Sequence, residues 1–315
     1  SFHRFFSRAR WVPDALGLVL VRLIVEHLLS ADGPVVAVVD DTLGRHTGKK
    51  IAGAAMHRDP LLSTAARVLF HWGHVWVVLG LNVHAFGKAW CLPVLFRLYR
   101  SEKQCQREKR PHRKKPELAQ ELITLLAAAV PGRTLRVLGD SDYTNRSVIQ
   151  GRPSNVQLIG RSRTDAALYA PPPRRRPGQM GRPVLKGKRL LSPEQRAARK
   201  NAPWQRVKVS VYGRTVRVRV LVIDALWYRA AGTELVRLVL VRGFPGHERD
   251  DAFSLLTPAS ANIEVESTAS TLAPSDDVVR FAVKFGPLRF WFENVHTVYE
   301  PFDLFVDEQR KGLFA

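Results

Sequence analysis

Two runs of apolar residues in this chain pass straight into aspartate: Pro34-Val-Val-Ala-Val-Val-Asp40-Asp41-Thr42 and Arg133-Thr-Leu-Arg-Val-Leu-Gly-Asp140-Ser141-Asp142-Tyr143. Near-continuous Val/Leu runs are the pattern of strands buried on both faces. A carboxylate at the tip of such a strand leaves the apolar layer where a hard divalent cation needs fixed oxygen ligands. The two tips can share an ion pair only if the fold sets these distant segments side by side, which predicts an α/β sheet.

The bulk properties point to a polyanionic partner. The 315 residues carry a formal net charge of +21 with a pI near 10.7, far beyond what solubility requires. With 45% hydrophobic residues the chain can bury a sizeable core, and no apolar run is long enough to cross a bilayer, so no membrane partner is expected. Cys91 and Cys105 are too few for a disulfide framework or a Cys-rich zinc site. Arg8, Arg10, Arg22 and Glu26 interrupt the apolar positions that a secretory signal would need, so the expected location is cytoplasmic and nucleoid-associated.

The charge is unevenly placed. Residues 1–251 hold 44 Lys and Arg against 19 Asp and Glu, whereas 252–315 hold 5 against 9, so the chain changes character near Asp251. Two basic runs, 100–115 and 172–200, contain proline and few apolar residues, and are expected to be surface loops that contact phosphates.

A coarse reading gives a helix over Asp14–Leu29 and, after the Asp40 strand, further strands at Lys50–Met56, His74–Val83 and Trp90–Tyr99. An amphipathic helix over Pro116–Val130 precedes the Asp140 strand, a short helix around Arg146 and a strand at Val156–Arg163. This is taken as three strands, helix, strand, helix, strand, the order of a ribonuclease-H-like mixed sheet, with Asp40 on the first strand and Asp140 on the fourth. From Trp204 the period becomes two: Val207, Val209 and Val211 alternate with Arg206, Lys208 and Ser210. After a turn at Gly213, Val216, Val218 and Val220 alternate with Arg217, Arg219 and Leu221. That predicts a hairpin with one apolar and one basic face, suited to lying against DNA, followed by strands at Leu235–Val241 and Ala252–Leu256. The expected organisation is an N-terminal helical segment (1–33), the first part of the core (34–163), an inserted basic loop and antiparallel β subdomain (164–256), and a divergent C-terminal segment (257–315).

Several stretches, in order, resemble the DDE transposases of bacterial insertion sequences, in the subgroup with a β domain inserted before the catalytic glutamate. They are Asp40-Asp41-Thr42-Leu43, Met56-His57-Arg58-Asp59-Pro60-Leu61-Leu62-Ser63, Trp72-Gly73-His74-Val75-Trp76-Val77-Val78, Leu92-Pro93-Val94-Leu95-Phe96-Arg97-Leu98-Tyr99 and Gly139-Asp140-Ser141-Asp142-Tyr143. The resemblance implies DNA strand cleavage and strand transfer with two magnesium ions, manganese substituting. It implies Asp40 bridging both ions, Asp140 binding one, and a glutamate on a later helix binding the other. The pairing of two ions about 3.5–4 Å apart stabilises both the entering and the leaving oxygen. Asp41 and Asp142 are expected to point away, since successive residues at a strand end face opposite sides. The implied partners are double-stranded DNA at transposon ends and target, and a second copy of the chain in a synaptic complex. The cations assigned to DNA are Lys49 and Lys50; Arg113, Lys114 and Lys115; Arg174, Arg175, Arg176, Arg182, Lys186, Lys188 and Arg189; and Arg206, Lys208, Arg217 and Arg219.

The tail departs from the family. After Asp251 no stretch carries the expected Tyr, Arg, Glu, Lys signature, and the candidates for the third carboxylate are Asp277, Glu293, Glu264 and Glu266. Three functions stay open: a DDE transposase, a remnant that binds DNA without cutting it, and another ribonuclease-H-like nuclease. The Gly44 to Lys50 stretch is one residue short of a phosphate-binding loop and has Lys50 where Ser or Thr should be. His71 and His74 are expected to be packed or surface histidines, and Trp204, Trp227 and Trp291 core residues in preference to base-stacking ones.

Overall fold

The computed structural model describes residues 11–48, 50–64, 66–85, 88–211, 214–243, 251–256, 263–266, 278–285 and 288–295, with backbone alone at Lys88, at Ser210, Val211 and Arg214, and from 251 onward. The fold is mixed α/β, a mixed sheet of parallel and antiparallel strands with helices, as in ribonuclease-H-like proteins. It divides into two compact units, one running to Arg136 with Pro153–Val156, the other comprising Val137–Arg152 and the chain from Gln157.

In the first unit, α1 (Pro13–His27) precedes β1 (Val35–Arg45), β2 (Ala55–Arg58), β3 (Phe70–Ala85) and β4 (Lys88–Tyr99), then α2 (Glu102–Arg107) and α3 (Lys115–Ala129). β3 is the organiser: β1, β2 and β4 all pair with it antiparallel, with Asp40 opposite Val78 and Asp41 opposite Val77. Its Val77, Leu79 and Leu81 are fully buried with Val35, Ala37 and Val39 of β1, and Leu122, Ile123 and Leu126 of α3 complete the core. Gly17 lets α1 approach β4, since a Cβ there would stand 2.2 Å from the Val94 carbonyl oxygen. Arg97 on β4 fixes both helices at once: its guanidinium meets Asp14 of α1 at 2.7 Å and Glu121 of α3 at 2.9 Å.

Four expectations are corrected here. β1 does not end at Asp40 but runs on to Arg45, because β3 continues to pair with it after the buried alternation stops. The strand expected at Lys50–Met56 is Ala55–Arg58, because residues 50–54 turn the chain back towards β3. That short edge strand is counted with three long ones, so Asp140 follows the fifth strand and not the fourth. The run 100–115 is not simply a loop: Ser101 and Gln104 form a reciprocal cap on α2, and buried Gln104 donates to the Gly53 carbonyl at 2.9 Å. Its glutamates supply the counter-charge, with Arg100 on Glu108 at 2.7 Å.

The second unit takes up β5 (Leu135–Gly139) from Val137, then α4 (Arg146–Gly151), β6 (Val156–Arg161), α5 (Pro193–Ala197), β7 (Gln205–Val211), β8 (Arg214–Leu226), α6 (Tyr228–Ala231), β9 (Leu235–Arg242) and β10 (Asp251–Leu256). The order β6-β10-β9-β8-β7 is antiparallel at each of its pairings. Val207, Val209, Val218 and Val220 form one buried cluster, as the alternation predicts, with Val216, Val222, Val239 and Val241 against it. The second basic run also holds structure, since α5 starts at a Ser192 cap that accepts from the Gln195 amide at 3.2 Å. β11 (Ile263–Glu266), β12 (Val278–Phe285) and β13 (Leu288–Val295) form a separate antiparallel sheet.

Candidate active site and nucleic-acid interface

Asp40 lies where β1 emerges from the core: Val39 is buried, and Asp40 and Asp41 are half-buried. The Asp41 amide donates to Asp40 Oδ1 at 2.8 Å, which orients the Asp40 carboxylate. Asp41 itself is paired with a helix, its Oδ2 2.5 Å from Nζ of Lys115 on α3. The carboxylate of Asp40 also reaches Cys91 electrostatically. Burial first, and the Asp40 charge second, push the Cys91 thiol up to about 11. The residue keeps an exposed edge, but its sulfur packs on β3, where a Cβ at Gly80 would stand 2.6 Å from it.

Around the far end of β1, polar residues converge that the sequence marked only as a family-like stretch. Asp59 is buried; its Oδ1 accepts from the Leu61 and Leu62 amides at 3.0 and 3.1 Å, and its Oδ2 meets Arg45 at 2.6 Å and His71 at 2.9 Å. Burial would raise this carboxyl, but the Leu62 amide, Arg45 and the Leu61 amide together hold it below its usual range. Buried His57 lies 6.0 Å from the Tyr99 ring, and burial, then the Lys115 charge, then His74 lower its pKa. His74 joins His46 at 2.9 Å and the Ala52 carbonyl at 3.0 Å, whereas His71 contacts only the Asp59 carboxylate among the polar groups described for it.

In the second unit Asp140 is exposed just past β5, with its carboxylate fixed by the chain that follows. Oδ1 accepts from the Asp142 amide at 2.9 Å and the Tyr143 amide at 3.2 Å, and Tyr143 is fully buried as the anchor of that turn. Thr144 closes it, its hydroxyl donating to the Asp140 carbonyl at 2.7 Å. This packing requires glycine at 160, where a Cβ would lie 1.8 Å from Thr144 Oγ1 and 2.9 Å from the Gly139 carbonyl. Asp40 and Asp140 each offer hard oxygen donors oriented by backbone amides, a donor chemistry that fits magnesium or manganese. Among the described residues no cluster of three or more His, Cys, Asp or Glu is placed to hold a metal.

The candidates for a third carboxylate lie in the tail. Glu264 and Glu266 are on β11 and Glu293 is on β13, opposite Lys284, Ala282 and Arg280 in the register of β12, whereas Asp277 lies outside the described residues.

The cations divide into paired and unpaired groups. Lys115 holds Asp41, and Arg113 holds Glu121. Arg175 donates to carbonyls of its own loop, including Gly181 at 3.0 Å. Lys186 is caged between the rings of Tyr169 at 4.0 Å and Tyr228 at 4.8 Å. Lys50, Lys114, Arg174, Arg176, Arg182, Lys188 and Arg189 are exposed, and Lys49 lies outside the described residues. On the hairpin, Arg206 faces Arg219 and Lys208 faces Arg217 directly across the strands, all four exposed, and Arg219 in turn faces Arg242 on β9. Like charges placed opposite one another destabilise a sheet, a cost that an anion lying on this face would relieve. Trp227 is core, as expected, whereas Trp204 stacks on the Arg242 guanidinium at 4.4 Å.

The DDE superfamily endonuclease profile matches residues 1–222, and the chain belongs to that family. Its members act on DNA and generally use divalent metal ions. No curated protein matches the chain. No described helix is long and apolar enough to cross a membrane.

Proposed function

We propose that the chain is a DNA transposase of the bacterial insertion-sequence type, with Asp40 and Asp140 as its metal-binding carboxylates and its third carboxylate missing or displaced. The observation that carries this is the Asp140 turn, in which two backbone amides, a buried tyrosine and a glycine demanded by close packing all serve to hold one exposed carboxylate. Magnesium, when bound, would activate the attacking water and stabilise the leaving oxygen. The residues' own share is to hold those ions in fixed positions and to hold the duplex, the latter through the cationic face of β7 and β8.

A second reading, a remnant that binds DNA without cutting it, is favoured by the placement of Glu264, Glu266 and Glu293 on strands of a separate sheet. The deciding experiment is relaxation of supercoiled plasmid in magnesium, run beside a duplex-binding assay. We expect duplex binding with little nicking. Robust nicking that disappears in Asp40→Ala would mean a complete metal site and would overturn the remnant reading. Failure to bind DNA at all would overturn both readings.

A further inference from the structure

We infer that an open cleft of about 720 Å³ on the second unit, between the end of the basic loop and the start of β7, binds unpaired nucleotides of a DNA strand. The inference rests on the reading that DNA is the substrate, and it assigns a different part of that substrate to a different surface from the hairpin face.

Three arginines line the cleft: Arg189 after the loop, Arg196 on α5 and Arg199 just beyond it. All three lie in the 172–200 run expected to contact phosphates, and Arg189 alone of them was assigned to DNA individually. Elsewhere, Arg45, Arg97, Arg100, Arg113, Arg152, Arg163 and Arg237 each meet a carboxylate. Among the described residues, none of the three cleft arginines does. Concentrating unneutralised guanidinium groups around one concavity is unfavourable unless an anion joins them, and a planar guanidinium fork matches phosphate oxygens.

Shape and lining select the form of the ligand. A volume within the roughly 300–1,000 Å³ range of enclosing pockets suits a short piece of flexible chain. A duplex carries its phosphates on a rod too wide to enter, and the flat row of cations on β7 and β8 suits it better. Leu190, Leu191 and Pro203 give the cleft an apolar surface beside the arginines. An unpaired strand can turn its phosphates to the guanidinium groups and lay its bases on that surface, which a paired strand cannot do. The neighbouring Trp204 ring is already covered by Arg242, and Arg242 reaches the Ala197 carbonyl at 3.2 Å, so the wall of the cleft is braced against the sheet. Gln195 and Asn201 also line the cleft and can offer amide hydrogen bonds to the edges of the bases laid there.

The test uses the full chain and two labelled probes, a single-stranded oligothymidylate and a mixed-sequence duplex, followed by fluorescence anisotropy over a salt series. Arg196→Ala/Arg199→Ala should weaken oligothymidylate binding at least tenfold and lower its salt slope by about 1.4, at ~0.7 per phosphate contact on a single strand. Duplex binding should change less than threefold. Lys208→Ala/Arg217→Ala should show the opposite preference. Leu191→Glu, at an exposed position, should reproduce the single-strand defect without removing an arginine, which keeps the test decisive if the double variant folds poorly. Equal loss on both probes, or no loss on either, would overturn the cleft assignment. Wild-type binding to duplex but not to oligothymidylate would overturn this inference alone, whereas binding to neither probe would remove the DNA reading as well.

Discussion

The ammonium of Lys115 and the carboxylate of Asp41 lie 2.5 Å apart, joining the first residue of α3 to the middle of β1. The contact compensates the charge of the acid adjacent to Asp40 and ties the strand to a helix whose apolar face forms the core. Lys115→Met should destabilise the fold by about 1–3 kcal/mol, between the values for exposed and buried pairs. Adding Asp41→Asn should recover part of that loss, because no uncompensated charge then remains. Urea denaturation of the two single variants and the double variant measures the coupling, and strictly additive losses would show that the pair contributes nothing.

Gly160 supports Asp140 from the neighbouring strand. Gly160→Ala forces a methyl group against Thr144 and should cost about 1–3 kcal/mol, with a shifted Asp140 turn. Thr144→Ala in the same chain should restore some stability by removing the nearest clashing atom. Calorimetric melting of the wild type and the two variants would reveal this, and an unperturbed Gly160→Ala protein would show that the turn is looser than its contacts imply.

Cys91 offers a chemical probe of Asp40. With its thiol pushed up to about 11, Cys91 should react slowly with alkylating reagents at neutral pH. Asp40→Asn removes one of the two causes of that shift, so the pH of half-maximal reaction should fall and the rate at fixed pH should rise. Magnesium held at Asp40 should act in the same direction. An alkylation rate indifferent to both changes would separate Asp40 from Cys91.

His57 carries a pH dependence whose sign follows from its lowered pKa. The unfolded chain takes up a proton near pH ~6.5, the ordinary histidine value, while folded His57 resists it. Its contribution to stability is therefore complete above that pH and is lost as pH falls towards the folded value. His57→Gln should flatten the acid side of the stability profile, as read by denaturant midpoints between pH 5 and 7. A profile unchanged by this substitution would assign the acid sensitivity elsewhere.

The sequence was most legible where one physical rule decided the outcome. Alternation of valine with cations predicts the β7–β8 hairpin because period two admits only one way to bury a face, and Val207, Val209, Val218 and Val220 follow it. The Asp140 turn was likewise visible, since apolar runs rarely stop at aspartate without a turn or a site, whereas the polar residues after Asp40 hid the fact that β1 runs on to Arg45. Long-range pairing was not legible. The local charge density of 100–115 suggests a solvated loop, and nothing local reveals that Lys115 meets Asp41 or Arg113 meets Glu121. Asp59 showed the same limit, because its partners Arg45 and His71 come from separate strands brought together by β3. Arg196 and Arg199 could have been found by asking which cations in the second run lie near no acidic residue across the fold, a question that requires coordinates.

The facing cations of β7, β8 and β9 give salt two opposed effects on this chain. Dissolved ions release bound DNA by competing for its phosphates, yet the same ions screen Arg206 from Arg219 and Lys208 from Arg217 and so relieve the unliganded sheet. Dilute buffer should thus leave the free protein at its least stable and its complex at its tightest, and DNA should act on the hairpin as a folding partner as much as a substrate.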